Sequence, residues 1–376
     1  MKKVLHVVSK MDRAGAESMI MNLYRAVNKS AVQFDFIVFT KEAGGFDSEI
    51  VSLGGRLHRI IAPNPIKRMF ALKEFLLAHP EYKILHCHML LSNAFHVLAA
   101  KWANVPVRIS HSHSTQNKSK GKIIDFLYQT FSRIVIRNAS THFIGCGKAA
   151  ANFLFPGQQN VFMLPNSVDT GLMANIGNTK NEYWFNEFNI GRQFLKIIQV
   201  GRLEPVKNFS FSIQLAKYMK EQGFSFRMML VGQGKLFDNL AQEIESFGLK
   251  EYVYLLGSRD DVPYLMAGAD VMLMPSLHEG FPVVLVESQA VGLPALIAST
   301  ISKEVDLKMG MIQFLGLDEE LSKWAESLRE LSVVKIMSDS NRLKVLKDKG
   351  FDILSNAKTM TSLYEHPELY GKLSPQ

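Results

Sequence analysis

The run LKIIQVGRLEPVKNFSFSIQLAKYMKEQ, residues 195–222, decides the fold. A short apolar stretch ends in a glycine, a turn of charges and proline follows, and then apolar residues recur at helical spacing. The same unit repeats downstream. FRMMLVG (226–232) precedes the amphipathic LFDNLAQEIESFG (236–248), then VYLLG (253–257), VMLMPS (271–276) and ALIAS (295–299). Upstream, VLHVVS (4–9), AESMIMNLYRAV (16–27) and FDFIVFT (34–40) alternate in the same way, as do ILHCH (84–88), SNAFHVLAAKWA (92–103) and VRISHSH (107–113). Continuously apolar strands separated by helices predict parallel sheets covered on both faces.

The pattern breaks before it restarts near residue 190. The stretch LPNSVDTGLMANIGNTKN (164–181), rich in Asn, Gly, Ser and Thr, reads as the connection. A chain of 376 residues is long for one core and suits two. We therefore expect an α/β protein with domains at 1–170 and 190–355, and a terminal helical segment, 356–376, that can cross back to the first. Ligands of doubly wound domains bind beyond the carboxyl ends of the strands.

Composition excludes several classes. A hydrophobic content of 47% describes a globular chain, and no apolar run is long enough to span a membrane. The start, MKKVLHVVSKMDR, reads as a first strand rather than a signal peptide. Cys87 and Cys146 are too few for a disulfide framework, which fits two reduced thiols in a cytoplasmic protein. The net charge of +8 is uneven: residues 1–170 hold 21 Lys/Arg against 10 Asp/Glu, leaving 22 against 25 in the rest. A basic first half suits an anionic membrane surface, a polyanionic partner or simply a solvated surface. No basic motif interleaved with aromatics and no helix-turn-helix pattern points to nucleic acid.

Two glutamates eight positions apart, Glu279 and Glu287 in HEGFPVVLVE (278–287), carry the chemistry. A Gly-Phe-Pro turn opening into a helix at Pro282 or Val283 predicts free N–H groups and a positive dipole end. That end suits a phosphate, with one carboxylate on each side of it for hydroxyls. Arg202 and Lys207, in GRLEPVKN (201–208), are cations just past a strand end that can neutralise a diphosphate. The VGQG turn (231–234) and LLGSRDDVPYLMAGADV (255–271) follow strands and can present backbone groups to a nucleobase, though composition alone favours ordinary turns. Gly15 sits where the first strand meets the first helix, where backbone can approach a phosphate or sugar closely. His111 and His113 end a strand and can hydrogen-bond a sugar hydroxyl. A metal is not expected there, because no cluster of partner ligands shows at sensible spacing. In KSKGKIIDFLYQTFSRIVIRNAS (118–140), lysines precede Ile123, Ile124, Phe126, Leu127, Phe131 and Ile134 at helical spacing. Packing of this helix into the core is the favoured reading; seating on a membrane face is the other.

These residues resemble the retaining GT-B glycosyltransferases of family 4. GRL…KN followed by the spaced glutamates, in a two-halved strand–helix alternation, carries the resemblance over nearly the whole chain. MDRAGAESMIMNLYRAV looks like the family's N-terminal Gly-Gly-Ala-Glu segment. GFDSEIVSLGGRLHRI, VRISHSHS and GLPALIASTISKEVD look most like the capsular and exopolysaccharide branch.

The resemblance implies two Rossmann-like domains facing a central cleft, acceptor in the first and nucleotide sugar in the second. Arg202 and Lys207 would hold the donor diphosphate and Glu279 the sugar hydroxyls, helped by the backbone of Gly280, Phe281 and the neighbours of Pro282. Glu287 would hold the ribose, and Arg259 would lie near the base. His113, rather than His111, would take the place of the active-site histidine. The implied reaction moves a sugar, UDP-linked by expectation, to a glycan or lipid-linked hydroxyl with retention, without metal or other cofactor. It would run in the cytoplasm, with peripheral contact at the inner membrane face as a hypothesis. Two positions depart from the family pattern: Ala14 replaces the first of two glycines, and Ser167 replaces the glycine of Pro-Asn-Gly. A sugar-nucleotide epimerase and a non-catalytic polyanion-binding protein are the competing readings.

Overall fold

A computed structural model describes residues 1–13, 15–113, 122–177, 182–279 and 281–370. Ala14, Gly280 and the lysines at 118 and 120 lie outside the described residues. The chain forms two compact units, Met1–Ser167 with Asp352–Gln376, and Val168–Phe351.

In the first unit the strands are β1 (Lys2–Val7), β2 (Val32–Val38), β3 (Leu57–Arg59), β4 (Ile84–Cys87), β5 (Val107–Ser112), β6 (His142–Gly145) and β7 (Val161–Met163). They pair in parallel in the order β3-β2-β1-β4-β5-β6-β7. The second unit holds β8 (Leu195–Val200), β9 (Phe226–Val231), β10 (Val253–Gly257), β11 (Val271–Met274), β12 (Ala295–Ala298) and β13 (Ile312–Leu315). Their parallel order is β10-β9-β8-β11-β12-β13.

Both sheets are covered on two faces, which the strands record residue by residue. On β8, Ile197 joins one core cluster and Ile198 the other; on β9, Met228 and Met229 divide in the same way. On β1, Val4 packs with Phe34 and Phe36, while Leu5 and Val7 pack on the opposite face with Leu85. Successive side chains point to opposite faces, so strands this apolar need helices on both sides.

The chain returns to the first unit at Asp352. Asp352 caps the helix Ile353–Glu365 by accepting from the Ser355 N–H at 2.9 Å. That helix buries Ile353, Ala357, Met360, Leu363 and Tyr364 in the cluster that contains Val4 and Phe34. The spacing of three and four residues places these side chains on one stripe.

The helix Lys122–Ala139 reverses the favoured sequence reading. Phe126, Leu127, Phe131 and Ile134 are 68, 62, 49 and 56% exposed, while Ser132 and Ile136 on another face are fully buried. The named apolar residues form an outward stripe rather than a packed one. Among the described residues no helix is long and apolar enough to cross a membrane.

Candidate active site

The order of the second sheet reverses between β8 and β11. The segments that follow these two strands, Gly201–Asn208 and Pro275–Val283, thus flank a crevice where ligands bind in such sheets. Hydrogen bonds stitch them together. The Leu277 N–H donates to the Val206 carbonyl at 2.8 Å, and Asn208 Nδ2 donates to the Pro275 carbonyl at 3.0 Å. Gln199, buried on β8, donates from Nε2 to the Lys207 carbonyl at 2.9 Å and accepts from the Ser212 hydroxyl at 2.6 Å. Asn208 adopts the left-handed conformation, φ 56°, between the short turn at Lys207 and the helix Phe209–Glu221.

This frame brings two of the predicted residues into contact. Lys207 Nζ ion-pairs with the Glu279 carboxylate, their side chains 16 and 13% exposed. An ammonium has three donors, so this pair leaves Lys207 with capacity for phosphate oxygens. Arg202, by contrast, turns to Glu204 on its own loop at 2.8 Å, with 62% of its side chain exposed.

The loop after β9 packs directly on the Arg202 loop. The Leu203 N–H donates to the Gln233 carbonyl at 3.0 Å, and the Gly232 N–H to the Gly257 carbonyl at 2.8 Å. A Cβ on Gly232, whose φ is +149°, would stand 1.8 Å from the Gly201 carbonyl oxygen. Glycine is therefore required here by both backbone angle and space. VGQG, read from composition as an ordinary turn, is the buttress of the loop that carries Arg202 and Lys207.

The helix after β11 runs Val284–Val291, with Val283 as its N-cap, one residue beyond the later of the two expected starts. The N–H groups of Leu285, Val286 and Glu287 donate to the carbonyls of Pro282 and Val283. The first N–H groups of a helix have no carbonyl of their own helix behind them, which suits this end to an anion. Glu287 sits one turn in and is partly buried. Burial pushes its carboxyl up to about 7. Phe281 stacks on Phe351, ring centroids 5.6 Å apart and nearly parallel, which anchors the turn before the helix.

Arg259 clasps Asp261 with Nε at 2.8 Å and Nη2 at 2.6 Å. Tyr183 donates its hydroxyl to the same carboxylate. The Arg259 guanidinium holds Asp261 below the usual carboxylate range. This cluster fixes the segment after β10, so the guanidinium is already engaged where the sequence placed it near a base.

In the first unit the sheet reverses between β1 and β4. Five histidines gather at the carboxyl ends of β1, β4 and β5. His6 Nδ1 lies 2.9 Å from His88 Nε2, and His88 Nδ1 lies 2.8 Å from His113 Nε2. His86 Nδ1 meets the Tyr364 hydroxyl at 2.8 Å. His111 is fully buried on β5, whereas His113 lies just beyond the strand and is part-buried. Asn93, fully buried, ties the strand ends together by donating to the carbonyls of Cys87 at 3.2 Å and His111 at 3.5 Å. Burial lowers His6, His86, His88 and His111 well below the ordinary histidine range, and His113 to about 3, so all five rings are neutral at pH 7.

Sequence reasoning missed His6, His86 and His88, and its ground for setting metals aside is corrected here. His6, His86 and His88 form one group, and His88, His111 and His113 another, with ring nitrogens within 4.8 Å of one another. The signal was present in ILHCH: His86 and His88, two apart on an extended chain, share a side. Gly15 opens the helix Gly15–Ala26, and a Cβ built on it meets nothing within 4 Å. The fold itself leaves room for a side chain there, so any demand for glycine comes from what approaches from outside.

Known proteins resemble the chain along both units. Residues 14–166 match the glycosyl transferase 4-like domain and residues 180–331 the glycosyl transferases group 1 model. The chain is 37% identical over 372 residues to EpsF of Bacillus subtilis, a protein named for glycosyl transfer, covering 96% of both chains. It is 25% identical over 354 residues to an Escherichia coli UDP-Gal:alpha-D-GlcNAc-diphosphoundecaprenol alpha-1,3-galactosyltransferase, covering 88% of this chain and 89% of that one. Among solved structures, Anabaena HepE in complex with UDP superposes with a TM-score of 0.76 at 17% identity, covering 97% of this chain and 100% of that one. Two doubly wound units, a stitched switch point carrying Lys207 and Glu279, and similarity along nearly the full length place this chain in the GT-B glycosyltransferases, with a family 4-like first domain and a group 1 second domain.

Proposed function

We propose that the chain transfers a sugar from a UDP-linked donor to the hydroxyl of a lipid-linked or glycan acceptor in surface polysaccharide synthesis, with retention at the anomeric carbon and without a metal ion. The observation that carries this reading is the Lys207–Glu279 pair at the switch point, on the segment that leads into the helix bearing Glu287. Lys207, Arg202 and the first-turn N–H groups of the helix Val284–Val291 hold the diphosphate and the charge that grows on it as the glycosidic bond breaks. Each preorganised donor of this kind contributes roughly 3 kcal/mol to the rate. The cationic side chains supply the positive charge that a metal ion would otherwise bring. Glu279 accepts from sugar hydroxyls, and Glu287, once ionised, accepts from the ribose. His113 faces the acceptor.

The donor class and the carrier lipid rest on the relatives. The Escherichia coli enzyme is named for UDP-Gal and a diphosphoundecaprenol acceptor, and a Campylobacter jejuni relative, 25% identical over 274 residues, is named for a diphospho-undecaprenol acceptor. The outward stripe Phe126, Leu127, Phe131 and Ile134 gives the first unit an apolar face for an inner membrane surface. Ile134 also lines a cavity of about 280 Å³ floored by Phe143, Leu154 and Phe155 and flanked by Arg133 and Arg137, which suits a lipid chain below an anionic head.

EpsF of Bacillus subtilis, the Escherichia coli galactosyltransferase and CapH of Staphylococcus aureus are all named as glycosyl or galactosyl transferases, which favours transfer over the epimerase and polyanion-binding readings. Incubation with UDP-sugars and a polyisoprenyl-diphosphate sugar, with and without EDTA, tests the proposal. Release of UDP with an α-linked product, equal in both arms, is expected. Sugar isomerisation without UDP release would end it, and loss of transfer with EDTA would remove the metal-free mechanism.

A further inference from the structure

The neutral rings of His6, His88 and His113 form a chain that runs through both nitrogens of His88. A neutral imidazole has one N–H and one lone pair. His88 therefore donates through one nitrogen and accepts through the other, and both links must run in the same direction. Only two neutral arrangements exist. In one, His113 keeps its proton on Nδ1 and His6 buries a bare Nε2 lone pair. In the other, His6 keeps its proton on Nε2 and His113 presents a bare Nδ1.

The surroundings of His6 select between them. His6 is 1% exposed, and its Nε2 meets no hydrogen-bond partner. Its ring lies among Phe34, Phe36 and Tyr364, with centroids at 4.2, 5.4 and 6.5 Å, the last at 89°. The Tyr364 hydroxyl is turned to His86. Phe34 and Phe36 are tilted and stacked over the His6 ring and offer Nε2 no acceptor, while Tyr364 stands perpendicular to it, the arrangement in which an imidazole N–H meets a negative aromatic face and a lone pair is repelled. The other end of the chain, His113 Nδ1, is likewise buried without a partner. It lies just beyond β5, one strand from the switch point between β1 and β4, on the side where ligands bind in such sheets.

We infer that His6 and His88 are positioning residues that fix His113 in its Nε2–H form, so that Nδ1 is held as a hydrogen-bond acceptor for the incoming hydroxyl. His113 Nε2–H donates to His88 Nδ1, and His88 Nε2–H donates to His6 Nδ1. The chain ends in the aromatic cage and has no outlet for a proton. It orients and polarises the hydroxyl but does not carry its proton away. Both nitrogens of His88 are taken up by His6 and His113, so the three rings serve as a hydrogen-bond chain rather than as a metal centre. The function assigned to Nδ1 rests on the reading of His113 as acceptor-facing; the proton arrangement does not.

Long-range ¹H–¹⁵N spectra of the full chain labelled at histidine test the arrangement without reference to activity. Nε2–H signals for His6, His88 and His113 are expected at pH 7. An Nδ1–H signal at His88 or His113, averaging between tautomers, or displacement of these signals by one equivalent of zinc chloride would overturn the inference. Kinetics then test its use. His88→Leu removes both links, and KM for the acceptor should rise or kcat fall, together about tenfold in kcat/KM, with KM for the donor unchanged. His88→Asn, whose amide reaches the place of Nδ1, should restore most of the loss and the His113 Nε2–H signal. Unchanged kinetics in a folded His88→Leu variant that still shows the Nε2–H signal at His113 would refute the positioning role. Failure of transfer in the parent protein with the tautomers as expected would instead refute the function proposed above.

Discussion

Replacing Glu287 by Gln should stabilise the ligand-free protein and weaken its hold on the nucleotide. The carboxyl is lifted from its ordinary 4.5 to about 7 by burial. A raised carboxyl means that the folded state keeps a proton the unfolded chain has released. Stability is then whole below pH 4.5 and is lost as the pH rises towards 7, where the ionised group must be held in place. At 1.36 kcal/mol per pH unit the full cost is about 3 kcal/mol, and the partial exposure of Glu287 reduces it to about 2 kcal/mol. Glutamine has the same shape and no charge to desolvate. For a unit of the size of Val168–Phe351, that difference corresponds to a rise of about 4–8 °C in Tm at pH 8, shrinking towards nothing as the pH falls to 4.5. Differential scanning calorimetry across this range measures it. Saturating UDP should narrow the gap at pH 8, because ribose hydroxyls donating to the carboxylate offset its desolvation in the parent protein alone. If the Gln variant melts no higher than the parent at pH 8, the carboxyl is not held against its charge and the reasoning fails. If the gap persists under UDP, Glu287 does not hold the ribose.

Three further outcomes follow from the site. Lys207→Ala should lower kcat by about 10²–10³ with far-UV circular dichroism unchanged, since it removes a cation from the leaving group; normal turnover would exclude Lys207 from the site. Gly232→Ala should abolish UDP binding by calorimetry while the first unit stays folded, because its Cβ would stand 1.8 Å from the Gly201 oxygen and displace the loop that carries Arg202; undiminished affinity would show that this loop does not hold the nucleotide. The pair Phe126→Ser and Phe131→Ser, at positions 68 and 49% exposed, should reduce sedimentation with anionic liposomes at low salt without lowering Tm; equal sedimentation would leave the stripe without that role.

The fold was legible because its strands are apolar on both faces, and a period of two with no polar side has few other solutions. The start of the helix that carries Glu287 was located to within one residue: Val283 takes helical angles but serves as the cap. The contact between Lys207 and Glu279 was not legible, because it depends on which loop of one strand lies beside which loop of another. The histidine chain was hidden for the same reason, His6 and His88 being 82 positions apart. The helix Lys122–Ala139 shows a different limit. Periodicity tells which residues share a stripe, and nothing in it tells whether that stripe meets a core or solvent. Its apolar residues were read as inward, and four of them face outward.

The two units repeat one sheet order and place different chemistry at the same point in it. Counting from the edge, β3-β2-β1-β4 and β10-β9-β8-β11 reverse at the same position. In the second unit that position carries charge: Lys207 and Glu279 paired, and Glu287 raised by burial. In the first it carries neutral imidazoles that hydrogen-bond one another. The contrast is opposite to the sequence's overall balance, in which residues 1–170 hold the excess of cations. Arg133 and Arg137 border the cavity beside the outward stripe of the helix Lys122–Ala139, where an anionic surface would meet them. A diphosphate needs fixed charge and a helix start, and a hydroxyl needs a neutral acceptor of fixed direction. The division of residues between the two strand-end sites follows that division of chemistry, which supports the proposed donor role of the second unit and acceptor role of the first.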